Sequence, residues 1–160
     1  MKPIYAMSMG LAAAILLHLP ASVPVANAME EPGYVVVATP ASFVDLEKRV
    51  AAAVAKNQMN IVTRASASDG AKGRGIVIRG DAVLGIFRND FAVRMLAANV
   101  DAGIEAPVRL HLVEEPDGTS SIRYRKPGVL FGHYDGEAIK QVGRELDVIF
   151  DAIIADAIAK

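Results

Sequence analysis

Hydrophobic and polar positions alternate or recur along the chain in a way that sets out its elements. Tyr34-Val35-Val36-Val37-Ala38 is a continuous apolar run of strand length, rich in β-branched residues, and predicts a buried strand. Phe43, Leu46, Val50 and Val54 recur at helical spacing, so a helix follows. Thr39-Pro40 can start it; Ser42 with Asp45 is an alternative cap one turn on. Lys56-Asn57 closes it, and Glu47, Lys48 and Arg49 point outward. Met59 to Arg64 predicts a second strand, with Ile61 and Thr63 on one face and Val62 and Arg64 on the other. Ser66 to Gly75 is small, polar and Gly-rich, and reads as a loop. Ile76-Val77-Ile78 and Ala82 to Phe87 are strand-like, with Arg79-Gly80-Asp81 as a turn or bulge between them.

A second helix begins near Asn89 or Asp90, either of which suits a cap, and buries Phe91 and Met95 with Ala92 and Leu96. Pro107 opens the next strand. Val108, Leu110 and Leu112 face one way, and Arg109, His111 and Val113 the other. Pro116-Asp117-Gly118-Thr119 has turn chemistry. The return strand puts Ile122 and Tyr124 on one face, Arg123 and Arg125 on the other. A last helix from about Gly136 carries Ile139, Val142, Leu146, Ile149, Ile153 and Ala157 at three- and four-residue spacing. Phe150, Ile154 and Ile158 widen that stripe beyond what one sheet needs, which suggests a second apolar contact such as another subunit. The order β-α-β-β-α-β-β-α predicts an α+β two-layer sandwich, a mostly antiparallel sheet with helices packed on one face.

The first residues read differently. Lys2 is the only charge before Glu30. Gly10 to Leu19 is apolar, and Ala26-Asn27-Ala28 is an A-x-A site. A short basic start, an apolar core of about 7–15 residues and such a site describe a secretory signal peptide. The run is short of the roughly 20 residues of a spanning helix. Residues 1–28 are therefore expected to be a cleavable leader, cut after Ala28, with 29–160 a single periplasmic or secreted domain and no membrane span after cleavage. The alternative is an uncleaved anchor or a buried helix.

Composition narrows the chemistry. Loss of Lys2 leaves 16 basic against 18 acidic residues, a net charge of −2, which offers no electrostatic footprint for nucleic acid. There is no Cys, which rules out thiol catalysis, zinc–thiolate sites and Cys-attached haem. No Gly-rich phosphate motif occurs at 66–75, and no G-x-S-x-G. Ser120, Ser121 and Thr119 lie at a hairpin turn with no convincing partner, so no catalytic residue is assigned. His111 and His133 are the histidines beyond the leader, without metal-ligand spacing, and no metal or cofactor is expected.

The candidate site is the polar face of the hairpin. Arg109, His111, Arg123 and Arg125 share it, and guanidinium forks suit a small anionic ligand. The other reading is a solvated face, or one paired with acids such as Glu105, Glu114 and Glu115 or with a partner subunit. The turn Arg88-Asn89-Asp90 leads into a helix N-terminus that could hold an anion, unless Asp90 occupies it as a cap.

Several stretches resemble one family. They are Phe43 to Val50 with Met59-Asn60-Ile61-Val62-Thr63, then Gly85 to Leu96, then Ala102 to Arg109, then Tyr124-Arg125-Lys126-Pro127. Together they resemble the bacterial and archaeal domain of unknown function 302 family, over about Tyr34 to Phe131. The resemblance implies a compact two-layer domain, often a homodimer, with no established activity. Arg88-Asn89-Asp90 and Ala106-Pro107-Val108 stand where many members carry a Gly-Asn-Pro-like turn and a Leu-Pro-Cys run. The missing Cys removes any thiol role those members have. The expected function is an exported non-catalytic module for an anion or a protein. The alternatives are a His-centred hydrolase or other enzyme at His111, or a structural module of an envelope complex.

Overall fold

A computed structural model of the chain describes residues 33–159. The expected leader and its cleavage site lie outside the described residues.

The elements run in the order β1 (Tyr34–Thr39), α1 (Phe43–Lys56), β2 (Asn60–Ser66), α2 (Ala67–Lys72), β3 (Asp81–Phe87), α3 (Asn89–Ala98), a 3-10 segment (Val100–Glu105), β4 (Val108–Glu114), β5 (Ser120–Arg125), α4 (Pro127–Gly132) and α5 (Glu137–Ile158). The five strands form one sheet, β1-β5-β4-β3-β2, and every neighbouring pair is antiparallel. The helices α1, α3 and α5 cover one face, giving an α+β two-layer sandwich.

Strand alternation makes the core. Leu110, Leu112 and Ile122 are fully buried and Leu84 and Ile86 nearly so, all on the covered face. Opposite them α1 supplies Leu46, Val50 and Val54, and α5 supplies Ile139, Phe150 and Ile153. Each such side chain, taken from water, stabilises the fold by about 1.5–3 kcal/mol before entropy is subtracted. The hairpin turn closes where expected: Gly118 adopts φ +81°, and Glu115 N–H donates to Thr119 O at 2.8 Å.

Five local expectations are corrected. Among the described residues β1 is an edge strand, paired only with β5. Its Tyr34 and Val36 are exposed, so the apolar run does not mark burial on both sides. In β2 a bulge between Ile61 and Thr63 reverses the parity. Ile61 pairs with Ile86 on the covered face, Thr63 pairs with Gly85 on the open face, and Arg64 turns back to Glu47 of α1 at 2.9 Å. The stretch after Ser66 is not all loop, because the Ser66 hydroxyl accepts from Asp69 N–H and starts α2. Ile76-Val77-Ile78 is not a strand of the sheet. It has no ladder partner among the described residues, and Val77 is 93 % exposed. Neither Asn89 nor Asp90 caps α3. Arg88 is the N-cap residue, without a side-chain cap bond, and its guanidinium pairs with Asp90 at 2.7 and 3.1 Å.

Leu96, placed in the buried stripe of α3 by its spacing, is exposed. The broad stripe of α5 is used inside the chain. α5 packs on α4 and α1, and more lightly on α3, so its width needs no second subunit.

Candidate functional site

The bare face of the sheet is built by the odd-numbered side chains of β3, β4 and β5. The register lays them in rows. Val36 of β1 faces Arg123, Arg123 faces His111, and His111 faces Val83. One step along, Tyr34 faces Arg125 and Arg109 faces Gly85. All four residues expected on this face are there: Arg109 and Arg125 exposed, His111 and Arg123 half-buried. Their even-numbered neighbours Leu110, Ile122 and Tyr124 are buried beneath the helices.

Their surroundings differ. The Arg123 guanidinium donates to Glu115 Oε1 at 2.8 Å and, through Nε, to the Ser121 hydroxyl at 3.2 Å. Ser121 itself donates to the same Glu115 oxygen at 2.5 Å. These two donors hold the Glu115 carboxyl below its ordinary range, the Ser121 hydroxyl first and Arg123 second. His111 Nε2 lies 2.8 Å from Asp81 Oδ2. A carboxylate oxygen only accepts, so the ring nitrogen donates. Arg109 has no hydrogen-bond or ion-pair partner among the described residues. It lines a shallow depression of about 270 Å³ together with His111, Arg123 and Arg125, walled by Tyr34, Val83 and Leu130.

The contact of Asp81 with His111 was not legible in the sequence. The place of Asp81 before a strand-like run reads as a turn. The signal lies in the register: Asp81 pairs with Val113 and Val83 with His111, so Asp81 and His111 are diagonal neighbours on one face. Glu114 does not join the basic face, because its carboxylate accepts from Gly80 N–H at 2.7 Å. Glu105 accepts from the Tyr134 hydroxyl at 3.3 Å. His133 ends α4 and is exposed. Among the described residues no three His, Asp or Glu side chains gather to hold a metal ion. Thr119 is tied to Asp117 within the turn, and the buried Ser120 hydroxyl has no partner among the described residues.

The model of DUF302, a domain of unknown function, matches residues 35–156. The chain belongs to the DUF302 family. This DUF302 chain is similar to a crystal structure of an uncharacterized conserved protein DUF302 from Bacillus stearothermophilus, at 19% identity and a TM-score of 0.70, over 79% of this chain and 98% of that one. At that identity the likeness speaks for the fold. No curated protein matches the chain.

Proposed function

We propose that this DUF302 chain is an exported, non-catalytic binding domain whose open sheet face takes a small anion. The observation that supports this reading is Arg109. Its guanidinium has no partner among the described residues and lines a depression that also holds His111, Arg123 and Arg125. An exposed fork of N–H donors is matched to a carboxylate or phosphate. The neighbouring guanidiniums of Arg123 and Arg125 add positive charge to the same depression.

Thermal unfolding in graded acetate, chloride and phosphate tests the reading. The melting temperature of the wild type is expected to rise with an oxyanion more than that of Arg109→Ala, because only the state that binds is stabilised. Equal shifts in both proteins would remove the anion reading.

The Asp81–His111 pair favours a second reading, a His-centred enzyme. A carboxylate that orients an imidazole is part of general-base machinery. The Ser121 hydroxyl already donates to Glu115, so it is not a free nucleophile for this pair. A turnover on model esters or phosphoesters that vanishes in His111→Ala would establish it.

A further inference from the structure

We propose that the open sheet face takes its anion together with a proton, which His111 holds. The inference rests on the anion-binding reading above and adds the regulation of that site by pH. The surroundings of one imidazole carry it.

His111 and Arg109 lie two residues apart on one face of β4 and line the same open depression. That spacing sets them about 7 Å apart along the strand. His111 Nε2 donates to Asp81 Oδ2 at 2.8 Å, so the carboxylate keeps a proton on that nitrogen. Nδ1 has no partner among the described residues. It is the nitrogen at which a second proton comes and goes. Imidazoles gain that proton between about pH 5 and 8, a range in which arginines and ordinary carboxylates keep their charge.

The charges that face His111 decide what an anion does to this proton. From β3 comes Asp81, already bonded to the ring. From β5 comes Arg123, the register partner of His111, and Glu115 offsets its charge at 2.8 Å. Arg125, further along β5, has contacts of its own and is not a free cation. β1 contributes Tyr34, an uncharged phenol, and Val83 and Leu130 are apolar. Among the described residues around the ring, Arg109 is the cation left without a partner. Like charges at this range repel, so Arg109 works against a proton on Nδ1. An anion on the Arg109 fork cancels that repulsion and attracts the imidazolium. Proton and anion then favour each other, by the same factor in either direction. One unit charge about 7 Å away at a half-exposed position is worth roughly three- to tenfold in affinity. The sign follows. Affinity is highest at low pH, with His111 protonated, and falls as pH rises and the proton leaves.

Calorimetric titration of residues 29–160 with acetate, at fixed ionic strength and at about pH 6 and pH 8, tests the proposal. Acetate stays ionised over that range. It is expected to bind roughly three- to tenfold more tightly at the lower pH. Binding is also expected to take up a proton, read as an enthalpy that changes with the ionisation enthalpy of the buffer. His111→Gln keeps a donor for Asp81 but has no proton to gain, and is expected to lose both effects. If that variant unfolds, the imidazole C–H signals of the wild type decide. Saturating acetate is expected to move the His111 midpoint up by about half to one pH unit, with exposed His133 unmoved as the internal reference. Equal affinity at the two pH values without proton uptake would overturn the proposal and leave the anion reading standing. A pH dependence that persists in His111→Gln would put the proton elsewhere and overturn it too. Acetate bound equally well by Arg109→Ala, or by neither protein, would remove the anion reading and the proposal with it.

Discussion

Gly85 shows how single residues shape the open face. A Cβ there would overlap the Thr63 hydroxyl and come within 2.7 Å of Pro107 Cγ. Both neighbours are held, Thr63 by the bulge of β2 and Pro107 by its ring, so neither can yield cheaply. Gly85→Ala is expected to cost about 1–3 kcal/mol, the range for an overpacked site, read as a lower urea midpoint with an unchanged slope. Glu115 acts in the opposite sense. Its carboxylate holds Arg123 and so limits the positive charge of the depression. Glu115→Gln is expected to raise anion affinity several-fold by releasing that guanidinium; an unchanged affinity would mean that Arg123 takes no part. At this scale the sequence was informative for Arg109, His111, Arg123 and Arg125, because two-residue alternation decides their face whatever the strands pair with. It was silent on Asp81, since its meeting with His111 depends on the β3–β4 register, a long-range fact. Glu115 was foreseen only as one of several acids.

The same contrast holds for whole elements. The hairpin, α1 and α5 carry long, clean periodicities, and the folded chain keeps them. The short apolar runs misled. Tyr34–Ala38 has the composition of a central strand but forms an edge, and Ile76–Ile78 has β propensity but finds no ladder. Propensity describes what a segment tolerates, while neighbours decide what it becomes. The bulge in β2 left no mark in the pattern, and one extra residue reversed the face of everything after it.

Between elements, the docking of α3 on α5 has a charge signature. Arg94 holds both Glu145 oxygens, at 2.7 and 2.9 Å. This bond, with a further one from Gln141, lowers the Glu145 carboxyl from its ordinary 4.5 to about 2. A depressed folded value contributes stability above the ordinary one, and that contribution is lost as pH falls from about 4.5 to 2. Glu145→Gln is expected to flatten the acid arm of the stability curve in that window; an acid arm identical to the wild type's would remove Glu145 from it. Deeper in the same layer, Phe150 is fully buried, with its ring centroid 6.1 Å from that of Tyr124. Burial, then the nearby Asp151, push the Tyr124 hydroxyl up to about 12. Phe150→Ala is expected to cost about 3–5 kcal/mol in urea unfolding, as for other large core truncations.

Taken whole, the molecule divides its labour between the two faces of one sheet. The covered face holds the core, and the open face carries Arg109, His111, Arg123 and Arg125. The leader and the dimer are separate proposals about the whole chain. Export predicts that the secreted or periplasmic form begins at Met29, which an intact mass reads directly. The resemblance implies a homodimer, which sedimentation of residues 29–160 would reveal. The fold class was legible because it follows from the order and number of amphipathic elements. The pairing of acids with the basic residues of the open face was not, because it depends on strand register across the sheet. The most direct test of the account is an amide NMR titration of residues 29–160 with acetate. Saturable shifts are expected at residues 83, 109, 111 and 123, with α3 and α5 unmoved. Shifts confined to the helical layer, or none at a large excess of acetate, would contradict an anion site on the open sheet face.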